Sequence, residues 1–220
     1  MGRRRNIWPV MLAFLLLYGH AFSQKTGKAF EKKADLSIVD AEVKYHEDLD
    51  LLVFTIHTKG KAGSTIPEPA GQLDGAPVLG YVFPTSLNPQ HVGFGKVEGI
   101  LAIAITSHPD FDDTPLWDEN NDGDHENDGQ IYHSHWVVLK EDKRVEGGLS
   151  VQEFDNPDKV TLPATNPGMN MYLDSPGFSI VTRDKAIKVL VPAQRMNHKT
   201  SFNFDAVTAY MEVNTSDASR

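Results

Sequence analysis

Beyond its first three dozen residues the chain is written in short apolar runs separated by turn-forming residues, and several of the runs alternate with polar positions at the two-residue period of a half-buried strand. Leu36, Ile38, Ala41 and Val43 alternate imperfectly. The β-branched and aromatic run Leu51–Thr58 follows the turn Glu47-Asp48-Leu49-Asp50, so the two segments predict a hairpin. A strand is expected over residues 78–83, halted by Pro84. Residues 99–106 form a continuous apolar stretch bounded by Gly99 and by His108-Pro109, the pattern of a strand buried on both faces; the run is short and isoleucine-rich for a helix. Further strands are expected over 131–140, 147–151, 178–181, 186–191 and 207–213, with Asp184-Lys185 as the turn between the two that flank it.

Between these runs lie long loops. Residues 60–77 hold three prolines and four glycines, too many for a regular element, and residues 156–169 carry Pro157, Pro163 and Pro167. After the amino-terminal segment no stretch sustains a 3.6-residue period, which predicts little helix. No repeat and no linker divides the chain. Eight or more short strands with such loops in one core predict an all-β fold: an antiparallel β-sandwich, jelly-roll or immunoglobulin-like, with long Gly/Pro-rich and acidic loops, and a barrel as the second choice.

The amino terminus follows a different rule. Arg3, Arg4 and Arg5 precede an apolar stretch from Ile7 to Tyr18, and Ala21-Phe22-Ser23 has the small-x-small form of a secretory cleavage site. The apolar stretch is short of the roughly twenty residues needed to span a bilayer, and no later segment is long enough, so no transmembrane segment is expected after cleavage. The expected organisation is a signal peptide at 1–23, a flexible leader at 24–35, one sandwich domain at 36–214 and a disordered tail at 215–220. Loss of three arginines would make a chain of formal charge −9 more acidic still. That charge, with no basic stripe, excludes nucleic acid as a partner class. The 220 residues include no cysteine, which removes thiolate nucleophiles, thiolate zinc sites, iron–sulfur clusters and disulfides. An exported chain without cysteine fits the bacterial periplasm or medium better than a eukaryotic secretory pathway.

Candidate chemistry concentrates between Thr106 and Trp136. Nine carboxylates (Asp110, Asp112, Asp113, Asp118, Glu119, Asp122, Asp124, Glu126 and Asp128) fall within nineteen residues that contain no lysine or arginine. Such a loop repels itself, and a hard cation is the simplest remedy. The run Asp118-Glu119-Asn120-Asn121-Asp122-Gly123-Asp124 matches D-x-[DN]-x-[DN]-G, in which the first, third and fifth residues offer side-chain oxygens and the glycine turns the chain around the ion. Asp118, Asn120 and Asp122 are then direct calcium ligands, the Asp124 carbonyl a fourth, and Glu126 a fifth. At the twelfth position, where an EF-hand has a bidentate glutamate, stands Gly129. Asp128, or Asp110, Asp112 or Asp113, is the candidate replacement. Without an ion the same residues make a solvated acidic loop rich in Asx-turns.

His133-Ser134-His135 enters the strand after this loop, and alternation puts both imidazoles on one face. His108 stands at the other lip of the loop. If the flanking strands pair, the three histidines gather at its base with Asp110 nearby, and three histidines with a carboxylate are a donor set for zinc, copper or iron. The alternative leaves these rings hydrogen-bonded to the acidic loop or packed beside Trp136. Were loop and histidines one site, mixed oxygen and imidazole ligands would favour manganese, iron or zinc over calcium.

Residues 186–192 (Ala-Ile-Lys-Val-Leu-Val-Pro), followed by Phe202-Asn203-Phe204-Asp205-Ala206-Val207, resemble the ending of secreted β-sandwiches of the DOMON type, a group that binds haem or sugars. The resemblance covers about the last forty residues and is a strand pattern. It implies architecture and transfers no ligand residue. Ser86, Ser107 and Ser134 lack a G-x-S-x-G elbow, and no phosphate-cradling or dinucleotide fingerprint follows a strand, so no catalytic residue is assigned. Tyr81, Phe83, Tyr132 and Trp136 are expected in the core, while Trp117, inside the acidic loop, is a candidate ligand contact. The expectation is an exported calcium-binding β-sandwich acting as a binding or structural module for a small molecule, carbohydrate or protein. The alternative is a periplasmic or secreted metalloprotein or enzyme built on His108, His133 and His135.

Overall fold

A computed structural model describes residue 30 and residues 32–67, 74–109, 118, 121–124, 129–145 and 147–213. The expected signal peptide, nearly all of the leader, most of the acidic loop and the tail lie outside these residues. Among the described residues ten strands form two antiparallel sheets. Strands β1 (Ile38–His46), β2 (Leu51–Thr58), β8 (Ile180–Arg183) and β9 (Ala186–Pro192) make one, in the order β1-β2-β9-β8. In the other, β10 (Val207–Glu212), β3 (Pro77–Pro84), β4 (Ile100–Ser107), β5 (His133–Glu141) and β6 (Leu149–Val151) follow one another, and β7 (Leu173–Asp174) also pairs with β5. The all-β sandwich read from the strand pattern is thus the fold observed, and helical structure among described residues 32–213 is limited to short 3-10 turns such as Glu47–Leu49 and Ala193–Met196. No helix among the described residues is long and apolar enough to cross a membrane.

Alternation explains how the sheets meet. Leu52, Phe54 and Ile56 of β2 and Ile187, Val189 and Val191 of β9 face Leu79, Tyr81 and Phe83 of β3, Leu101, Ile103 and Ile105 of β4, and Trp136 and Val138 of β5; all are buried in one cluster. Phe54 joins the layers, its ring 5.4 Å from Phe83 and 6.5 Å from Trp136, both edge-on, and 5.9 Å from Phe202. Four aromatics that sequence assigned to the core (Tyr81, Phe83, Tyr132 and Trp136) are there. Tyr81 and Tyr132 also tie down the loop after β2: Tyr81 accepts from the Gly63 amide and donates to the Asp35 carbonyl ahead of β1, and Tyr132 donates to the Thr65 carbonyl. Asp35, the last residue of the expected leader, is itself buried, its carboxylate accepting from the Thr65 amide and hydroxyl.

The larger sheet is covered on its outer face as well. Val82, Ala102, Ala104, Val137 and Leu139 form a second, smaller cluster there, with Val151, Leu173 and Ala209 packed against it. Burial on both sides from Leu101 onward is why residues 99–106 read as a continuous apolar run. Gly99 admits the chain to this strand at φ 149°, and a Cβ on it would stand 2.5 Å from Val138 Cγ1 and 2.8 Å from the Leu139 carbonyl oxygen. Gly99→Ala is therefore expected to cost about 1–3 kcal/mol, read as a lower urea midpoint with an unchanged slope.

Candidate metal centre

Strands β4 and β5 are antiparallel neighbours, with Ala104 opposite His135 and Thr106 opposite His133. The pairing runs past the end of β4: the His108 amide donates to the Gly129 carbonyl at 3.0 Å, and Ser107 Oγ donates to the Gln130 carbonyl at 2.7 Å. His108 therefore lies on the same face as Thr106 and Ala104, diagonal to His133. This is the outer face of the larger sheet. Trp136 and Ser134 point the other way, Trp136 into the inter-sheet core and Ser134 onto the Phe178 backbone. Packing of the histidines beside Trp136, one of the sequence alternatives, is thus corrected by the two-residue period itself.

The three imidazoles are buried and in contact. His133 stands between the other two, edge-on to both, with ring centroids 4.8 Å from His108 and 4.7 Å from His135; the outer pair are 6.4 Å apart. Their candidate ligand atoms all lie within 4.8 Å of one another. Each Nδ1 has an oxygen partner from the protein: His108 Nδ1 lies 2.9 Å from the Pro109 carbonyl, His133 Nδ1 2.6 Å from the Ile131 carbonyl, and His135 Nδ1 3.0 Å from Ser175 Oγ. A carbonyl only accepts, so Nδ1 of His108 and of His133 must carry the proton. In the neutral rings both Nε2 atoms are then acceptors, and they face each other 3.1 Å apart.

Two lone pairs at that distance repel unless something positive lies against both. A proton is a poor candidate. Burial pushes His108 below its ordinary range, burial and then the two neighbouring rings push His133 well below it, and burial followed by His108 lowers His135 to about 3. At neutral pH all three are uncharged imidazoles, the form that ligates metals. Among the described residues no carboxylate joins the group. The segment behind His135 is fixed by its own bonds: Thr165 Oγ1 donates to Asp174 Oδ1 at 2.6 Å, the Ser175 amide donates to the Thr165 carbonyl, and Asn166 Nδ2 donates to the Leu173 carbonyl. Burial raises the Asp174 carboxyl, and the bond from Thr165 opposes the shift.

The sequence had named all three histidines. It gave no signal for Ser175, which reaches His135 from 40 residues away across an irregular segment, nor for Thr106, which reads as one more strand residue. Of the expected calcium ligands, Asp118, Asp122 and Asp124 are described, and Asn120, Glu126, Asp128, Asp110, Asp112 and Asp113 lie outside the described residues, as does the candidate contact residue Trp117. Asp118 accepts from the Asp122 amide at 3.0 Å and the Gly123 amide at 2.7 Å, and Asp122 accepts from the Asp124 amide at 2.8 Å. Asn121 and Gly123 take positive φ, 63° and 87°. These residues make a tight turn whose carboxylates cap its own amides. A comparison with protein-family models, curated proteins and solved structures finds no match for this chain.

Proposed function

We propose that the protein is a metal-binding β-sandwich module whose His108, His133 and His135 hold one transition-metal dication, zinc, copper or iron. The observation that carries this reading is the gathering of three buried imidazoles whose candidate ligand atoms all lie within 4.8 Å of one another, with the Nε2 atoms of His108 and His133 facing each other at 3.1 Å. Around a tetrahedral zinc with bonds of about 2.0–2.1 Å, neighbouring ligand nitrogens are separated by about 3.3 Å, close to that spacing. A cation turns the repulsion into shared coordination. The outer contacts of the rings support the same reading, since ligating histidines characteristically donate their other N–H to a carbonyl or hydroxyl that fixes tautomer and orientation. Three nitrogen donors suit zinc, copper or iron and disfavour calcium, which takes oxygen ligands. The Arg3 to Ser23 pattern supports export, to the periplasm or medium, as the setting.

The test is metal content. Tag-free protein, stripped with chelator and dialysed against zinc, is expected to retain one equivalent, with a melting temperature that climbs with free zinc. An ion bound only by the folded state adds RT ln(1 + [L]/Kd), about 2.7 kcal/mol at a hundredfold excess over Kd. Retention of no zinc, copper or iron at micromolar free metal would overturn the reading.

A second ion, calcium, in the acidic loop is favoured by one observation: the glycine at the sixth position of the D-x-[DN]-x-[DN]-G run has the positive φ that the wrapping turn needs. Millimolar calcium is expected to raise the melting temperature of the zinc-loaded protein, and Asp122→Ala to remove that rise. Identical melting of the zinc-loaded protein with and without millimolar calcium would dismiss a calcium loop while leaving the histidine site standing.

A further inference from the structure

Next to the histidines on their face lies a further polar side chain. Thr106, directly opposite His133 and two residues before His108 on the same face, is 3% exposed, and its Oγ1 is buried without a hydrogen-bond partner. A buried hydroxyl in that state costs about 1–3 kcal/mol unless something satisfies it. Its orientation is constrained. On the other side Thr106 pairs with Gly80, and the Thr106 methyl occupies that side: a Cβ built on Gly80 would meet Thr106 Cγ2 at 3.5 Å. With the methyl turned to β3, staggering leaves the hydroxyl two positions, one of them on the side of β5, where His133 stands opposite Thr106. Neighbouring positions on this face are small, Gly80 and Ala209 along one row and Ala104 opposite His135.

We infer that a metal ion on His108, His133 and His135 keeps a fourth position for a small exogenous ligand, water, hydroxide or a small anion, and that the Thr106 hydroxyl is the protein group that hydrogen-bonds it. The inference rests on the metal reading above and adds to it an open position and a ligand class. Three neutral imidazoles leave the dication's charge uncompensated in a buried site, which favours an anion in the remaining position. A hydroxyl both donates and accepts, so Thr106 can donate to a bound anion or accept from bound water. The arrangement selects ligands small enough to fit over Gly80 and Ala104 and equipped with an acceptor beside the atom that binds the metal.

Azide bound to copper(II) is the probe, because its charge-transfer band reports direct coordination. Full-length protein loaded with one equivalent of copper is expected to develop the band and saturate. Thr106→Val, which keeps the shape and deletes the hydroxyl, should still load one equivalent of copper but bind azide at least tenfold more weakly; Thr106→Ser should restore azide binding to within threefold. The metal-free Thr106→Val protein should also melt higher than metal-free wild type, since it no longer buries an unsatisfied hydroxyl. Stoichiometric copper without an azide band would overturn the open position, and an equal azide affinity in Thr106→Val would overturn the role of Thr106. Failure to load copper at all would instead strike the metal reading. If Thr106→Val does not fold or load, Thr106→Ala carries the same expectations.

Discussion

Replacing His133 by alanine is expected to weaken zinc binding by on the order of a thousandfold or more, because the central donor of three is lost and two imidazoles with open water positions remain. His133 is the one ring in edge contact with both others, and its Nε2 is the atom that faces His108 Nε2. The measurement is competition against a chromophoric zinc chelator, with circular dichroism on the same samples to show that the sheet persists. Ser175→Ala gives the graded comparison. It removes only the group that holds His135 Nδ1, and loss of such an outer contact typically lowers affinity about 10–100-fold. His57, on β2 of the other sheet, serves as the control: His57→Ala should leave zinc affinity unchanged. Were His133→Ala and wild type to compete equally with the chelator, the three-histidine centre would be ruled out.

Nearly all of this site was legible in the sequence because it is built on strand periodicity. His133 and His135 differ by two, so the pleat alone puts them on one face, and the same rule sends Trp136 to the other. The step that periodicity does not decide is which strand pairs with β5. The long acidic connection is compatible either with a hairpin or with a crossing to the second sheet; the register Thr106 opposite His133 makes it a hairpin and brings His108 to the pair. Contacts made by irregular chain were illegible. Leu173–Asp174 is a two-residue strand with no period to detect, and Ser175 beyond it meets His135 only because Thr165, Asn166 and Asp174 close that segment on itself. Thr106 was hidden for another reason. A hydroxyl without a partner is a property of its surroundings, and in sequence it is merely a β-branched residue in a strand.

The metal-free protein is expected to lose stability steeply in mild acid, through the same burial that makes the histidines good ligands. The folded state lowers His135 from its ordinary 6.5 to about 3, while the unfolded chain takes up the proton near 6.5. Between those values the unfolded state binds more protons, so the contribution is fully present above pH 6.5 and is lost as pH falls toward 3. At about 1.4 kcal/mol per unit of displacement, His135 alone removes on the order of 3 kcal/mol by pH 4. His133 and His108 are displaced in the same direction, but a proton on one ring repels protons on the others, so the three effects do not add. Asp174 works oppositely: its raised carboxyl lets the folded state take up a proton first as the solution is acidified, a partial offset. Asp142, held low by Arg144, loses its contribution only at more acid pH than the histidines. Urea unfolding at pH 7.5 and pH 4.5 should therefore show a large drop for wild type and a clearly smaller one for His135→Gln, whose side chain has no proton to gain. Bound zinc should move the onset of the loss to lower pH, since protons must then displace the metal before they reach the rings. Equal unfolding free energies for metal-free wild type at the two pH values would show that the rings are not held neutral by burial, and the electrostatic case for a cation between His108 and His133 would fall with it.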